Sequence, residues 1–313
     1  MKEGVRMIRI PIGPVRLAKA CDAHGAAVTA YVKRQTREYQ KKLYGEITKL
    51  MPAGSDFDTA DKNGDWKWLT DFILADMDTL RKLVTSPAAL QFDEFRKLYS
   101  GYFSAGSQKY VDSVTKYNAY TFIKNIGLTV CPYCEEEYLD VIETSEGGKK
   151  RTLEIDHFFP KGKYPALAMC FFNLVPSGQN CNGLKLEADL GMSPYEDGID
   201  ECTYLYPDLP VGINMENVPV EDCTIHFHPK AGMVQNVQVL YLEERYKKYK
   251  DKAHKYLTLK QQYNDEKIEE MVRQGFFKSK ELAYRFLYEE PLADDGKQKL
   301  LAKLKRDITG RKI

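Results

Sequence analysis

The sequence predicts a mainly helical α+β protein in which a small central β-β-α module lies between two sets of helices. Apolar residues recur at three- and four-residue spacing along much of the first 127 residues, and again after residue 243. Between these stretches the pattern changes to short apolar segments separated by polar turns. We therefore predict an N-terminal helical region over residues 1–127, the module over residues 128–195, and a β-hairpin with further helices over residues 196–313.

The composition is that of an ordinary folded chain. The 313 residues are 43% hydrophobic and 29% charged, and 46 basic residues nearly balance 45 acidic ones. Because the net charge is only +1, any nucleic-acid surface would have to be a local basic patch. No apolar run approaches the roughly 20 residues that span a bilayer, and no signal-like segment opens the chain. We expect a soluble, cytoplasmic protein with no membrane partner.

In the N-terminal region, residues 1–20 contain prolines and are predicted to be extended, and residues 51–65 are predicted to form a loop. Ser86 is a predicted N-cap before Pro87, and Gly127 is predicted to end the last helix of the region. The predicted helices cover residues 21–50, 66–84, 87–99 and 104–126.

The rest of the chain is predicted to alternate between short strands and helices. In the central region, two strands joined by a polar turn precede a short and a longer helix, over residues 138–143, 151–157, 166–172 and 180–189. Residues 191–214 are rich in proline, glycine and aspartate and are predicted to be irregular. A β-pair is then predicted between residues 224–228 and 234–242, followed by charged helices from residue 243 onward.

Four polar residues in the central region predict a specific chemistry. Asp156 and His157 stand side by side at the end of an apolar strand, and Asn173 and Asn182 follow at intervals of sixteen and nine residues. One divalent metal and one general base can together hydrolyse a phosphodiester. Mg²⁺ takes oxygen ligands, which Asp156 and Asn182 can supply. The neutral imidazole of His157 can accept a proton near pH 7, and Asn173 could orient it.

In this order and spacing, these residues resemble the HNH nucleases of the ββα-metal class. The similarity covers residues 131–185, about one sixth of the chain, and includes the turn Cys-Pro-Tyr-Cys and the segment Asn-Leu-Val-Pro. It implies that Asp156 and Asn182 hold a catalytic Mg²⁺ or Mn²⁺. It also implies that His157 is the general base and that Asn173 positions this base.

Three lysines are candidate contacts to nucleic acid. Lys185, three residues after Asn182, matches a basic residue of the HNH helix and is implied to contact phosphate. Lys161 and Lys163 follow the histidine closely, and phosphate contacts from them would give affinity that does not depend on base sequence. The basic run over residues 297–312 is equally well interpreted as a nucleic-acid contact or as a solvent-exposed helix face.

The cysteines of the central region predict a second metal site. Cys131 and Cys134 form a Cys-x-x-Cys turn of the metal-ligand type. In HNH proteins that carry this turn, a second such pair closes a structural zinc site, and here Cys181 matches one member while Gly178 stands at the other position. The candidates for a fourth ligand are Cys170, Cys202, Cys223, His226 and His228. A water ligand, or a metal-free cluster of buried thiols, is an open alternative.

The resemblance implies a metal-dependent endonuclease that cleaves DNA. The chain is similar to bacterial HNH proteins of the Septu and retron-associated type, which act in defence against phage beside an ABC-type ATPase. This chain has no G-x-x-x-x-G-K-[ST] loop, so such an ATPase would be a separate subunit. Two alternatives are a degenerate HNH scaffold that binds nucleic acid or a partner without cleaving, and a structural subunit in which the thiol turn only organises helices.

Overall fold

The described part of the chain is an α+β protein dominated by helices. The computed structural model describes residues 12–196, 203–288 and 299–310. About 53% of it is helical, and its strands form small two-stranded antiparallel sheets. The predicted fold class, mainly helical α+β, is therefore confirmed.

Side-chain caps set the starts of several N-terminal helices. These helices are α1 Pro14–Lys33, α2 Arg37–Leu50, α3 Phe57–Lys62, α4 Lys67–Ile73, α5 Met77–Leu83, α6 Glu94–Leu98 and α7 Ala119–Ile126. The caps of α2, α3, α5 and α7 accept a hydrogen bond from a backbone N–H of the first turn, and they are Thr36, Asp56, Asp76 and Asn118. Each such cap starts a new helix at a point that apolar periodicity alone does not mark.

These caps explain why the observed helices are shorter than the predicted ones. The helix predicted over residues 66–84 is divided where Asp76 caps α5, and the helix predicted over residues 104–126 begins only after Asn118. Gly127 ends α7 in the left-handed conformation, as predicted (φ 72°). Ser86 makes no capping bond, and a 3₁₀ turn rather than an α-helix follows it.

The first helix begins inside a stretch that was predicted to be extended. Pro14 occupies its first turn, where the missing N–H of proline needs no partner. The rest of that prediction, over residues 1–11, lies outside the described residues. At the other end of the region, α6 continues into the π-helical turn Tyr99–Phe103, which brings Tyr99 against the central strands.

The central region contains two separate pairs of antiparallel strands. Strand β1, Val141–Glu143, pairs with β2, Lys149–Arg151, while β3, Leu153–His157, pairs with β4, Leu174–Gly178. Helix α8, Gln179–Lys185, follows β4 directly and packs on both β3 and β4. The single strand predicted over residues 151–157 is thus divided, and its partner β4 was not predicted. Every residue of β4 is buried, so it lacks the alternation that marks a half-exposed strand.

The C-terminal β-pair joins different segments from those predicted. Strand β5, Thr203–Pro207, pairs with β6, Ile225–Pro229. The segment that was expected to pair with β6 is instead α9, Ala231–Val239, which buries Met233 and Val237 on one face. Strand β5 lies in the stretch predicted to be irregular, although it alternates between buried and exposed residues.

Charged helices complete the chain, as predicted from residue 243 onward. They are α10 Leu242–Tyr246, α11 Lys250–Gln262, α12 Asp265–Arg273, α13 Lys280–Leu287 and α14 Ala302–Thr309. At the start of α14, the backbone N–H of Leu301 donates to the carbonyl of Glu135 (2.9 Å), next to the thiol turn. Lys303, from the basic run, is buried and forms an ion pair with Asp307 (2.9 Å). Part of that run therefore packs inside the protein.

One hydrophobic core extends through all three predicted regions. It includes Phe72 on α4, Phe171 before β4 and Leu304 on α14, each fully buried. Helix α1 packs against α7, and α6 packs against the 3₁₀ segment Pro165–Met169 of the central region. The helical regions thus form the surroundings in which the central strands are held.

Candidate functional site

Strand β3 carries Asp156 and His157 into the interior, where their exposed fractions are only 3% and 4%. The pairing with β4 sets His157 opposite Leu174. Because α8 packs on β3, the predicted site residues of the helix, Asn182 and Lys185, belong to the same small unit. The structure therefore brings the strand and helix residues of the predicted site together.

The carboxylate of Asp156 has a partner at each oxygen. Lys185 Nζ lies 3.0 Å from Oδ1, and the hydroxyl of Tyr133 donates to Oδ2 at 2.7 Å. Each oxygen therefore accepts one of these hydrogen bonds and keeps one further lone pair. Tyr133 belongs to the Cys-Pro-Tyr-Cys turn, so this bond ties the thiol turn to the strand that carries the predicted base.

Lys185 lies in a different environment from the predicted phosphate contact. Its side chain is completely buried, and Nζ also donates to the backbone carbonyl of His157 (2.7 Å). Desolvation makes a buried ammonium costly unless it is paired and hydrogen-bonded, and both conditions are met here. In this placement, Lys185 holds the Asp156 carboxylate and the end of β3 rather than a surface phosphate.

His157 is fixed in one tautomer by the backbone. Its Nε2 lies 3.1 Å from the carbonyl oxygen of Ala168. A carbonyl can only accept, so Nε2 must carry the hydrogen and Nδ1 must carry the lone pair of the neutral ring. Among the described residues, none gives Nδ1 a hydrogen-bond partner. An imidazole held in this way can accept a proton at Nδ1.

The surroundings of His157 favour its neutral form. Burial and the positive charge of Lys161 lower the pKa of this imidazole to about 3, with a smaller effect in the same direction from Lys185. The ring of Tyr99 packs edge-on against the imidazole, with the centroids 4.4 Å apart, and the Tyr99 hydroxyl donates to the carbonyl of Ile155 (3.3 Å). The π-helical turn thereby contributes one wall of the histidine site.

The Asn173 side chain makes no hydrogen bond with His157, and instead closes the loop between β3 and β4. Its Nδ2 donates to the carbonyls of Phe159 (3.1 Å) and Leu167 (3.0 Å), while its Oδ1 accepts from the N–H of Phe159 (2.7 Å). Leu167 precedes Ala168, whose carbonyl accepts from the imidazole. Any positioning of His157 by Asn173 therefore runs through the backbone of this loop.

A cleft of about 410 Å³ opens beside these residues. Asp156, His157 and the half-buried Asn182 all line it. The side chain of Asn182 makes no hydrogen bond with any described residue, which leaves its amide oxygen available to a ligand. The other charged groups on the lining have both signs, and they are Arg151, Glu154, Lys161 and Glu187.

The two surface lysines differ in their relation to this cleft. Lys161 lines it, and its Nζ lies 5.7 Å from the centroid of the Tyr99 ring. Lys163 is exposed and pairs with Asp189 (3.3 Å). Lys161 is therefore the better placed of the two to meet a phosphate that enters the cleft.

The predicted metal-ligand cysteines form a compact buried cluster. The Sγ atoms of Cys131, Cys134 and Cys181 all lie within 4.8 Å of one another. The backbone N–H of Glu136 donates to the sulfur of Cys134 (3.4 Å). Hydrogen bonds from the other two thiols lower the pKa of Cys181. Three close sulfurs, at least one of which favours the thiolate, make a donor set suited to zinc.

Arg245 on α10 carries positive charge to this cluster. Its guanidinium donates to the sulfur of Cys181 (3.2 Å) and pairs with Glu136 (2.7 Å). This cation offsets negative charge that a thiolate places in the interior.

The predicted candidates for a fourth ligand do not join the cluster within the described chain. Cys170 donates to the carbonyl of Phe72, which lies elsewhere in the core. His226 pairs with Glu243, and His228 with Asp208. Cys223 is buried outside the three-thiol group, and Cys202 lies outside the described residues.

Several residues of the site were missed by reasoning from the sequence. Tyr133 stood inside the Cys-x-x-Cys motif, and a buried tyrosine hydroxyl needs a partner, so it could have been flagged. Tyr99 and Arg245 approach from 56 and 64 residues away in the sequence, and no local pattern marks them.

No family model, curated protein or solved structure matches this chain. Within the ranges that the structure describes, no helix combines the length and the apolar character needed to cross a membrane. The function is therefore inferred from the site itself.

Proposed function

We propose that this chain is a divalent-metal-dependent endonuclease that hydrolyses phosphodiester bonds in DNA. The observation that carries the proposal is the state of His157. Its Nε2–H is committed to the carbonyl of Ala168, and its Nδ1 lone pair has no described partner. The same cleft is lined by Asp156 and Asn182. A fixed base beside oxygen donors is the minimum that a one-metal nuclease requires.

The oxygen donors at the cleft fit Mg²⁺ or Mn²⁺. Asp156 accepts one hydrogen bond at each carboxylate oxygen and keeps a lone pair on each, and the amide of Asn182 is unpaired among described residues. Carboxylate and amide oxygens are the ligands that these hard cations prefer. When bound, such a cation would supply positive charge beside the scissile phosphate.

Protein side chains accept the proton, position the reacting groups and contact the phosphate backbone. Nδ1 of His157 takes a proton from the attacking water as the new P–O bond forms and the old P–O bond breaks. The leaving oxygen takes its proton from solvent. Lys185 and Tyr133 hold the Asp156 carboxylate in place, and Asn173 holds the loop whose carbonyl at Ala168 orients the base. Lys161 meets the phosphate backbone at the rim.

The strand–strand–helix arrangement of β3, β4 and α8 supports the interpretation of this region as a ββα-metal module. The resemblance extends the proposal to a cytoplasmic effector of bacterial defence against phage, with a separate ABC-type ATPase as its partner. The cytoplasmic location, the role in defence and the ATPase partner are inferred from the resemblance of residues 131–185 and not from the geometry of the site.

One observation favours a second candidate, a scaffold that binds nucleic acid or a partner without cleaving it. The Lys185 ammonium already neutralises Asp156 inside the protein, and a second cation beside that carboxylate would be repelled by the first. In a non-cleaving scaffold, this ion pair would simply replace the metal.

A supercoiled-plasmid assay with the full chain separates the two candidates. The nuclease predicts nicked or linear product with Mg²⁺ or Mn²⁺ and none with EDTA. DNA binding that is measured by fluorescence anisotropy, without cleavage in either metal, would favour the scaffold. A chain that neither binds nor cleaves DNA would contradict the nuclease as a self-sufficient enzyme and the nucleic-acid-binding scaffold, and would favour a scaffold that binds a protein partner.

A further inference from the structure

Glu137 fills the space that a side chain at position 178 would occupy. Gly178 lies in extended backbone (φ −65°, ψ 150°), which any residue can adopt. A Cβ atom added there would nevertheless lie 2.5 Å from both carboxylate oxygens of Glu137, well inside contact distance. The carboxylate thus occupies, next to the thiol of Cys134, the place that Gly178 leaves vacant.

The contact between Cys134 and Glu137 has about the spacing of two neighbouring ligands on a tetrahedral ion. In a zinc site with Zn–S near 2.3 Å and Zn–O near 2.0 Å, neighbouring sulfurs are about 3.8 Å apart and sulfur and oxygen about 3.5 Å. Here the thiol of Cys134 donates to Oε1 of Glu137 at 3.8 Å, and the three sulfurs lie within 4.8 Å of one another.

We propose that Glu137 is the fourth ligand of a zinc site whose other ligands are Cys131, Cys134 and Cys181. Zinc would take the place of the protons that the thiols and the carboxylate now share, and those protons would be released on binding. This proposal stands on the cluster alone and does not depend on the proposed nuclease activity.

The surroundings of Glu137 suit a ligand that binds through one oxygen. Its Oε1 faces Cys134, while its Oε2 accepts from the backbone N–H of Asn180 at the start of α8 (3.3 Å). Partners of this kind orient a metal ligand and raise its affinity for the ion.

Arg245 balances the charge of such a site. Three thiolates and one carboxylate around Zn²⁺ carry two net negative charges, which are costly in the interior. The guanidinium lies 3.2 Å from the sulfur of Cys181 and 3.6 Å from Glu137. Its positive charge lowers the net negative charge of the group from two to one.

Zinc content and affinity test the assignment without reference to catalysis. The full chain is analysed for zinc by mass spectrometry, and its affinity is measured by competition with a fluorescent chelator. We expect one zinc per chain in the wild type. Glu137→Gln should weaken zinc binding by at least about tenfold, since effects of this size follow even from loss of partners outside the ligand shell.

Glu136→Gln is the matched control. Glu136 also carries a carboxylate next to Arg245, but it is not assigned as a ligand, and its variant should stay within about threefold of the wild type. Equal losses in the two variants would show that Glu137 acts only through its charge, and would overturn the assignment.

A ligand exchange provides the second test. In Glu137→Ala with Gly178→Cys, the new thiol can enter the volume that the carboxylate has left. The double variant should regain zinc affinity, and with Co²⁺ its sulfur-to-metal absorption should rise to the level of four thiolates. A wild type without zinc, or a double variant that binds no better than Glu137→Gln, would overturn the proposal.

Discussion

Lys185 and Asp156 form a buried ion pair of 3.0 Å, with side-chain exposures of 0% and 3%. The pair joins α8 to β3, and Lys185 also holds the carbonyl of His157. It therefore fixes the end of the strand that carries the proposed base.

Loss of the Lys185 ammonium should destabilise the protein strongly. Lys185→Met leaves Asp156 as a buried charge with only the Tyr133 hydroxyl as partner, and we expect the free energy of unfolding to fall by about 3–5 kcal/mol. Chemical denaturation measures this change. The control is Lys163→Met, which breaks an exposed pair with Asp189 and should cost at most about 1 kcal/mol.

Removal of both charges should recover much of this loss. Asp156→Asn combined with Lys185→Met leaves no buried charge at the pair, so the double variant should be more stable than Lys185→Met alone. Comparable stabilities for Lys185→Met and Lys163→Met would contradict the buried ion pair.

Asn173 should stabilise the loop between β3 and β4, although its side chain makes no hydrogen bond with His157. Asn173→Ala leaves the N–H and carbonyl of Phe159 and the carbonyl of Leu167 without their partners. We expect a loss of about 3 kcal/mol of unfolding free energy, with faster hydrogen exchange at the Phe159 amide. The control Asn182→Ala, at a half-buried side chain without hydrogen bonds to described residues, should change stability by about 0.5 kcal/mol or less.

His24 should make stability depend on pH. It is buried among aromatic rings, with Nδ1 3.0 Å from the hydroxyl of Tyr117 and Nε2 2.7 Å from the carbonyl of Met169. Burial lowers its pKa from 6.5 to about 4. Between these two pKa values the unfolded chain binds a proton at His24 and the folded chain does not. The contribution of His24 to folding stability is therefore complete above pH 6.5 and is lost as the pH falls toward 4.

The size of this effect is set by the pKa difference. At about 1.4 kcal/mol per pKa unit, the loss between pH 7 and pH 4 amounts to about 3 kcal/mol. Urea denaturation of the wild type and of His24→Gln across this range measures it. The difference in stability between the two proteins should shrink as the pH falls, and a constant difference would contradict the assigned burial.

Sequence reasoning succeeded where the signal is local. Gly127 ends its helix in the left-handed conformation, and the helix that carries Asn182 lies close to its predicted position. The general class, helices around small antiparallel strands, also follows from periodicity.

Reasoning from the sequence failed where contacts between residues far apart in the chain determine secondary structure and side-chain partners. Strand β4 is buried on both faces and shows no alternation, and the predicted partner of β6 became α9 because its apolar residues pack on one face. The partners of Asp156 and Cys181 come from 23, 29 and 64 residues away. No window of sequence shows that Lys185 faces inward or that Arg245 reaches the thiols.

The rate of plasmid cleavage by His157→Ala tests most directly whether His157 is the general base of the proposed nuclease. Loss of a general base should slow metal-dependent cleavage by about 10²–10⁴-fold, while DNA affinity stays close to that of the wild type. His226→Ala, at a half-exposed histidine paired with Glu243, is the control and should cleave at the wild-type rate. Cleavage by His157→Ala at the wild-type rate would contradict the assignment of His157 as the general base.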